Sequence, residues 1–120
     1  MERRENIIVK KTEVFADRIL KMCKYLSKKK TGDRDMLRQI YRSGTSIGAN
    51  TAESQYAQSR ADFLTKLTIA LKEANETKYW LGRLHSGGNL TDKEYNSINS
   101  DNEEIIKILT SITGTVKKTV

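Results

Sequence analysis

A chain of 120 residues with no proline, seven glycines and 7% aromatic residues favours long helices over a strand-rich fold. Its single cysteine, Cys23, excludes an intramolecular disulfide and is expected to be a buried small apolar residue in a reducing compartment. Residues 1–6 are mostly charged and no long apolar run follows them. We therefore expect no secretory signal, no membrane span, and one cytoplasmic domain spanning residues 1–120.

The net charge of +7 is concentrated in one half of the chain. Residues 1–60 contain 14 Lys and Arg against 7 Asp and Glu, whereas residues 61–120 contain 8 of each kind. Clustered cations suit an anionic partner, nucleic acid above all, because they displace counterions from phosphates. A solvated basic face that keeps the chain soluble is the alternative interpretation.

Apolar residues recur every three or four positions in the first half, which predicts two amphipathic helices. The first is expected over about residues 8–29 and ends at the lysine run before Thr31 and Gly32. Its inner stripe contains Phe15, Ile19, Met22 and Leu26, widened by Val14 and Cys23. The second is expected over about residues 35–56, with Asp33 or Asp35 as its N-cap. Its inner face is predicted to contain Leu37, Ile40, Tyr41, Gly44, Ile47, Gly48 and Thr51.

The second half predicts two more helices, over about residues 60–85 and 92–117. Ser59 caps the first of them, and Thr91 with Glu94 forms a capping box at the start of the last. The loop after His85 contains two consecutive glycines, which separate the two helices. Asn102 occupies an inner position of the last helix, where a polar residue can fix register. Four helices joined by short connections predict an all-α, antiparallel up-down-up-down four-helix bundle.

Gly44 and Gly48 stand four residues apart inside the second predicted helix. Each interior glycine costs roughly 1 kcal/mol relative to alanine. We therefore expect another helix backbone to lie closely against this face. Close approach to a phosphate is the functional alternative, although the strand-to-helix context of a phosphate loop is missing.

The residue types needed for the common catalytic and metal sites are scarce. One histidine and one cysteine exclude a di-iron bundle site and a zinc site made by this chain, and no nucleophile or phosphate-loop motif is present. Glu73 and Glu76 are three residues apart, so they are helix neighbours whose proximity can raise a carboxylate pKa for acid–base work. The simpler interpretation is a satisfied polar contact, within reach of Arg42, and we expect no enzyme activity and no cofactor.

Other polar and aromatic residues of the second and third helices suit packing or an interface. Trp80 stands beside Tyr79, and Tyr25 and Tyr41 are possible companions on other helices. Stacking of bases on these rings is the alternative interpretation. The full set expected in polar packing or an interface is Asn50, Glu53, Glu73, Glu76, Thr77 and Trp80.

Basic residues repeat at spacings of three or four along the first two helices, so each helix presents a cationic ridge. The candidate nucleic-acid contacts are Lys21, Lys24, Lys28, Arg34, Arg38 and Arg42. The ridges contain no base-reading pattern, so binding is expected to sense phosphate or shape.

Three motifs in this order resemble a known family. They are Arg42–Glu53 (RSGTSIGANTAE), Asp62–Leu64 (DFL) and Lys66–Leu81 (KLTIALKEANETKYWL). The chain is similar, from about Ile8 to Lys117, to the four-helix-bundle proteins encoded in intervening sequences of bacterial 23S rRNA genes, often labelled S23 ribosomal proteins.

The resemblance implies a ring-like homopentamer and kinship with the accessory variability protein of diversity-generating retroelements, a basic pentamer that binds reverse transcriptase and nucleic acid. It implies no catalytic residue. Two functions stay open: an oligomer that binds RNA or DNA through the basic surfaces of the first two helices, and a ring-shaped adaptor that binds a protein partner.

Overall fold

The structure, a computed structural model, describes residues 3–30 and 33–120, and its side chains from residue 7 onward. Within these ranges the chain forms four α-helices and no strand: α1 (Arg3–Lys28), α2 (Arg34–Ser54), α3 (Arg60–Ser86) and α4 (Asp92–Lys117). Helix α1 begins five residues earlier than its apolar stripe predicts. The break predicted at Thr31 and Gly32 lies outside the described residues.

The helix starts follow the local capping chemistry of the sequence. The Asp33 carboxylate caps α2, and the Ser59 hydroxyl caps α3 by accepting from a backbone amide at 3.0 Å. At α4, Thr91 and Glu94 form the reciprocal capping box, with bonds of 3.1 and 2.9 Å. Gly88 has a φ of 81° in the loop after α3, a conformation that favours glycine.

Neighbouring helices run antiparallel in a bundle of 47 × 21 × 19 Å. Between α2 and α3, the hydroxyls of Ser43 and Thr77 lie 2.9 Å apart, and Glu53 lies 3.9 Å from Lys66, so the two chain directions oppose. Helix α1 contacts α2 and α4, and α3 contacts α2 and α4, which closes the ring of four helices. The predicted all-α four-helix bundle is confirmed.

One continuous apolar core runs along the bundle axis and contains residues from all four helices. Ile8 and Thr12, which lie outside the predicted stripe of α1, are buried, and Thr12 satisfies its hydroxyl at the Ile8 carbonyl, 2.9 Å away. Val14 and Tyr41 were expected inside, and this was wrong, because they are 47% and 49% exposed. Both lie at the edge of a stripe, where the periodicity does not separate buried positions from flanking ones.

The two glycines of α2 lie against α1. A Cβ atom on Gly44 would stand 2.7 Å from Cγ1 of Ile19, and one on Gly48 would stand 3.1 Å from the carbonyl oxygen of Thr12. Both distances are tighter than ordinary contacts, so each missing side chain provides the room that α1 occupies. The free-energy cost of two interior glycines is offset by this packing.

Asn102 is the polar residue at the centre of α4, fully buried. Its Nδ2 donates to the carbonyl oxygen of Ala74 on α3 at 3.0 Å, and its Oδ1 has no hydrogen-bond partner in the described chain. A buried acceptor without a partner costs about 1–3 kcal/mol. This residue therefore fixes the register of α3 against α4 at the expense of stability.

We expect Asn102→Leu to raise the free energy of unfolding by about 1–2 kcal/mol, because it removes the unpaired oxygen and adds apolar contact. Urea denaturation followed by circular dichroism measures the change. Asn96→Leu, at an exposed position of the same helix, controls for helix propensity. A destabilised Asn102→Leu protein, or a gain no larger than that of Asn96→Leu, contradicts this account.

Candidate nucleic-acid interface

An open groove lies between α1 and α2, toward the end of the bundle where these helices connect. Leu20, Cys23 and Leu37 line it with apolar atoms. Two tyrosines, Tyr25 and Tyr41, also line it. The basic residues around it are Lys21, Lys24, Lys28, Lys30, Arg34 and Arg38. We call this feature the basic groove.

The spacing of the cations explains why they meet there. Three lysines at spacings of three and four lie along one face of α1, and Arg34 and Arg38 lie one turn apart on α2. The antiparallel packing of α1 on α2 brings the two ridges side by side. Five of the six cations proposed from the sequence therefore line one concave surface.

Most of these cations have no acidic partner. Arg38 lies 3.4 Å from Asp35, an exposed pair of neighbouring helix residues. Among the side chains that the structure describes, no ion pair forms at Lys21, Lys24, Lys28, Lys30 or Arg34. Like charges so close together repel one another, and an anion in the groove relieves that repulsion.

Cys23 forms part of the apolar floor. Its Sγ lies 3.9 Å from the carbonyl oxygen of Leu37, so Cys23 of α1 contacts α2 within the groove. Burial raises the pKa of the Cys23 thiol to about 11, so the group is a neutral thiol at neutral pH. Its place in the floor, half-buried, agrees with a packing residue and not with a nucleophile.

Arg42, the sixth proposed cation, lies outside the basic groove. Its guanidinium lies 3.1 Å from an Oε2 atom of Glu73 and also binds Glu76, both on α3. Arg42 therefore bridges α2 and α3, and its contact with nucleic acid stays a prediction.

The contact of Arg42 with Glu73 and Glu76 also argues against the interpretation of these two carboxylates as acid–base residues. Glu76 Oε2 accepts from Arg42 and from Nε1 of Trp80, the latter at 3.1 Å. Burial acts to raise the pKa of Glu76, but the hydrogen bonds from Arg42 and Trp80 outweigh it, and the pKa is lowered. A carboxylate held ionised in this way is the opposite of the raised-pKa acid that the catalytic interpretation needs.

The remaining polar residues proposed from the sequence make local or interhelical contacts. Asn50 donates to the carbonyl oxygen of Ser46 in its own helix at 2.9 Å. Glu53 pairs with Lys66, and Thr77 bonds Ser43, as described for the fold. These residues lie along the seam of α2 and α3, away from the basic groove.

The described part of the chain contains neither a metal centre nor a helix that could span a membrane. The described residues contain no group of three or more His, Cys, Asp and Glu side chains placed to hold a metal ion. His85 instead stacks on Tyr95, with ring centroids 4.2 Å apart, and its Nε2 lies 2.6 Å from Asp92. Among the described helices, none has the length and apolar character needed to cross a membrane.

Comparison with known proteins agrees with the motifs of α2 and α3. The family model described as 23S rRNA-intervening sequence protein matches residues 4–111. The chain belongs to this family. The structure of this 23S rRNA-intervening sequence protein is similar to the crystal structure of a protein with unknown function from the S23 ribosomal protein family of Bacteroides thetaiotaomicron VPI-5482. That structure has a TM-score of 0.88 and 50% identity, over 92% of this chain and 98% of the other.

A comparison with curated proteins found no significant match. The predicted membership of the 23S rRNA-intervening sequence family is thus confirmed by the family model and by a solved structure. Kinship with the retroelement accessory protein and assembly as a pentamer stay predictions.

One basic and two aromatic residues of the basic groove were not among the candidate contacts from the sequence: Lys30, Tyr25 and Tyr41. Lys30 has a φ of 53°, at the turn that follows α1, and lines the end of the groove. The run of lysines at positions 28–30 was its only signal, and the sequence interpretation used that run as a helix stop. Tyr25 and Tyr41 were considered as aromatic companions of Trp80, but the structure places them in the groove, away from α3.

Proposed function

We propose that this member of the family is a non-catalytic, self-associating four-helix-bundle protein that binds RNA or DNA through the basic groove. One observation supports the proposal above the others: five cations without an acidic partner in the described chain line a single concave surface. The two carboxylates considered for catalysis are in ion pairs with Arg42, which favours a binding role.

A polyanion fits this surface better than a small anion does. The cations extend from Lys21 to Lys30 on α1 and the turn after it, about 14 Å along the helix axis at 1.5 Å per residue. A repeating phosphate chain can engage several of them at once, and each contact releases counterions. Lysine and arginine at phosphates position a nucleic acid without reading its sequence, so we propose weak sequence preference.

Self-association would place several copies of the basic groove in one assembly. The resemblance implies a pentameric ring, and Ile7 and Val14 lie seven residues apart on one face of α1, exposed outside the core. A second copy covering these side chains would bury apolar area. Several grooves in one ring would bind a long strand more tightly than one groove does. Light scattering gives the mass, and a monomer at every concentration contradicts this part of the proposal.

A protein adaptor is the second candidate, and one surface favours it. On α3, Tyr79 is 58% exposed, packs edge-on against Trp80 at 5.1 Å between centroids, and lies under Arg83. Tyrosine, tryptophan and arginine together are typical of protein interfaces. Recovery of a stoichiometric protein partner after nuclease treatment would favour the adaptor.

The salt dependence of nucleic-acid binding tests the proposal. If about five phosphates are engaged, the logarithm of affinity should fall with the logarithm of salt concentration with a slope of about −3.5 on a single strand and −4.5 on duplex DNA. This corresponds to a loss of roughly 100-fold or more between about 50 and 200 mM salt. Fluorescence anisotropy of a labelled oligonucleotide measures it. Salt-independent affinity, or no binding at low salt, would overturn the nucleic-acid role.

A further inference from the structure

Two aromatic rings lie among the cations of the basic groove. Tyr25 of α1 is 48% exposed and Tyr41 of α2 is 49% exposed, and both line the groove. The Tyr25 hydroxyl accepts from Lys29 at 2.9 Å, and this hydrogen bond raises the pKa of Lys29. The same ammonium lies over the Tyr25 ring, 4.8 Å from its centroid. Within the described chain, the Tyr41 ring stacks on no other ring and its hydroxyl makes no hydrogen bond.

Several other aromatic residues of the bundle are held by neighbours, whereas Tyr56 and Tyr79 are 87% and 58% exposed and lie outside the groove. Phe15 is in the core, Tyr95 stacks on His85, and Trp80 donates to Glu76. A large ring that stays half-exposed gains only part of the free energy of burial, and a ligand that covers the ring would supply the rest. In the basic groove, the covering group has to be compatible with several positive charges.

The bases of an unpaired nucleic-acid strand meet both requirements. Each base has a flat π-face that stacks on a tyrosine ring, and the phosphates that connect the bases reach the surrounding cations. In a duplex these faces are already stacked on neighbouring base pairs, so only phosphates, sugars and base edges face the protein. We infer, on the basis of the proposed function, that the basic groove takes a single strand, with bases stacked on Tyr25 and Tyr41.

The register of α1 against α2 agrees with an unstacked strand. Cys23 contacts Leu37 and Ile19 contacts Gly44, so Tyr41 lies level with a point between residues 19 and 23 of α1. Tyr25 is about four residues further along, or about 6 Å at 1.5 Å per residue. This offset approaches twice the 3.4 Å rise of a stacked strand. The two tyrosines are therefore attached at different levels along the groove, and we expect each to stack with its own base.

The experiment compares Tyr25→Leu, Tyr41→Leu and the double variant with the wild-type protein on three probes of equal length: oligo(U), oligo(dT) and a DNA duplex. Leucine keeps an apolar side chain but removes the π-face. We expect each substitution to weaken binding to both single strands by about 5- to 150-fold. Duplex affinity should change less than twofold, and the salt slope should stay at the wild-type value because no cation is removed.

Two controls separate stacking from folding. Tyr79→Leu removes an equally exposed tyrosine on α3, outside the groove, and should leave single-strand affinity unchanged. Tyr25→Phe and Tyr41→Phe keep the ring and should retain most of the affinity, whereas a role of the hydroxyl groups would make them as weak as the leucine variants.

The outcomes distinguish this inference from the proposed function. Salt-dependent binding that the leucine variants leave unchanged, or that they weaken equally on single strands and duplex, overturns the stacking inference while the proposed function stands. A wild-type protein that binds none of the three probes at low salt overturns both.

Discussion

Reversing four charges of the basic groove should weaken RNA binding by about 100-fold at low salt. The variant is Lys24→Glu, Lys28→Glu, Arg34→Glu and Arg38→Glu in one chain. Each exposed ion pair contributes roughly 0.2–1 kcal/mol, and each reversal also adds repulsion, so four reversals amount to about 3 kcal/mol, or about 100-fold in affinity. Fluorescence anisotropy over a range of salt concentrations measures this loss, and the magnitude of the salt slope should fall by about one per lost phosphate contact.

A charge-matched variant provides the control. Four exposed lysines lie on α3, on α4 and just after α4, away from the groove: Lys72, Lys107, Lys117 and Lys118. Changing these to glutamate produces the same total charge, from +7 to −1, as the groove variant does. Equal losses in the two variants would mean that net charge alone attracts the nucleic acid, and the groove would have no special role.

Gly44→Ala should lower the free energy of unfolding by about 1–3 kcal/mol, although alanine is the better helix former. The new Cβ atom would stand 2.7 Å from Cγ1 of Ile19, a fully buried side chain of α1. Gly82→Ala is the control, because a Cβ atom there meets nothing within 4 Å. We expect it to raise stability by up to about 1 kcal/mol, measured by urea denaturation.

A double-mutant cycle with Ile19→Ala isolates the cause. Ile19→Ala alone should cost about 2–5 kcal/mol, since it leaves a cavity in the core. It also removes the three atoms that crowd Gly44, so Gly44→Ala in that background should cost nothing and regain the helix propensity of alanine. The same penalty in both backgrounds would show that the glycine is required for a reason other than close packing.

The fold follows from local sequence signals. Asp33, Ser59 and Thr91 start helices because each side chain satisfies backbone amides a few residues ahead, and such contacts are visible in the sequence. The glycine pair also predicts a close neighbour from the sequence, because tight packing is needed to offset the cost of two interior glycines. Only the structure shows that this neighbour is α1. Tyr41 was misplaced because a three- and four-residue spacing gives the direction of a side chain on its helix and not the position of the next helix.

Most of the basic residues of the candidate site could be predicted from the sequence, but their arrangement around one groove could not. The cationic ridges of α1 and α2 are periodic, so most of their residues were found. Arg42 has the same spacing as Arg38 but is bound by Glu73 and Glu76, which are more than thirty residues away in sequence. Whether a cation is free or paired depends on such distant partners, and spacing within one helix contains no information about them.

The glycine pair of α2 also affects the geometry of the groove. Gly44 and Gly48 set how near α1 comes to α2 in the middle of the bundle, and the groove begins within one turn of Gly44 along the same two helices. Neither glycine lines the groove, yet a side chain added at Gly44 would push α1 away from α2 close to its opening. We therefore expect the substitution Gly44→Ala to change the distance between the two rows of cations as well as the stability of the bundle.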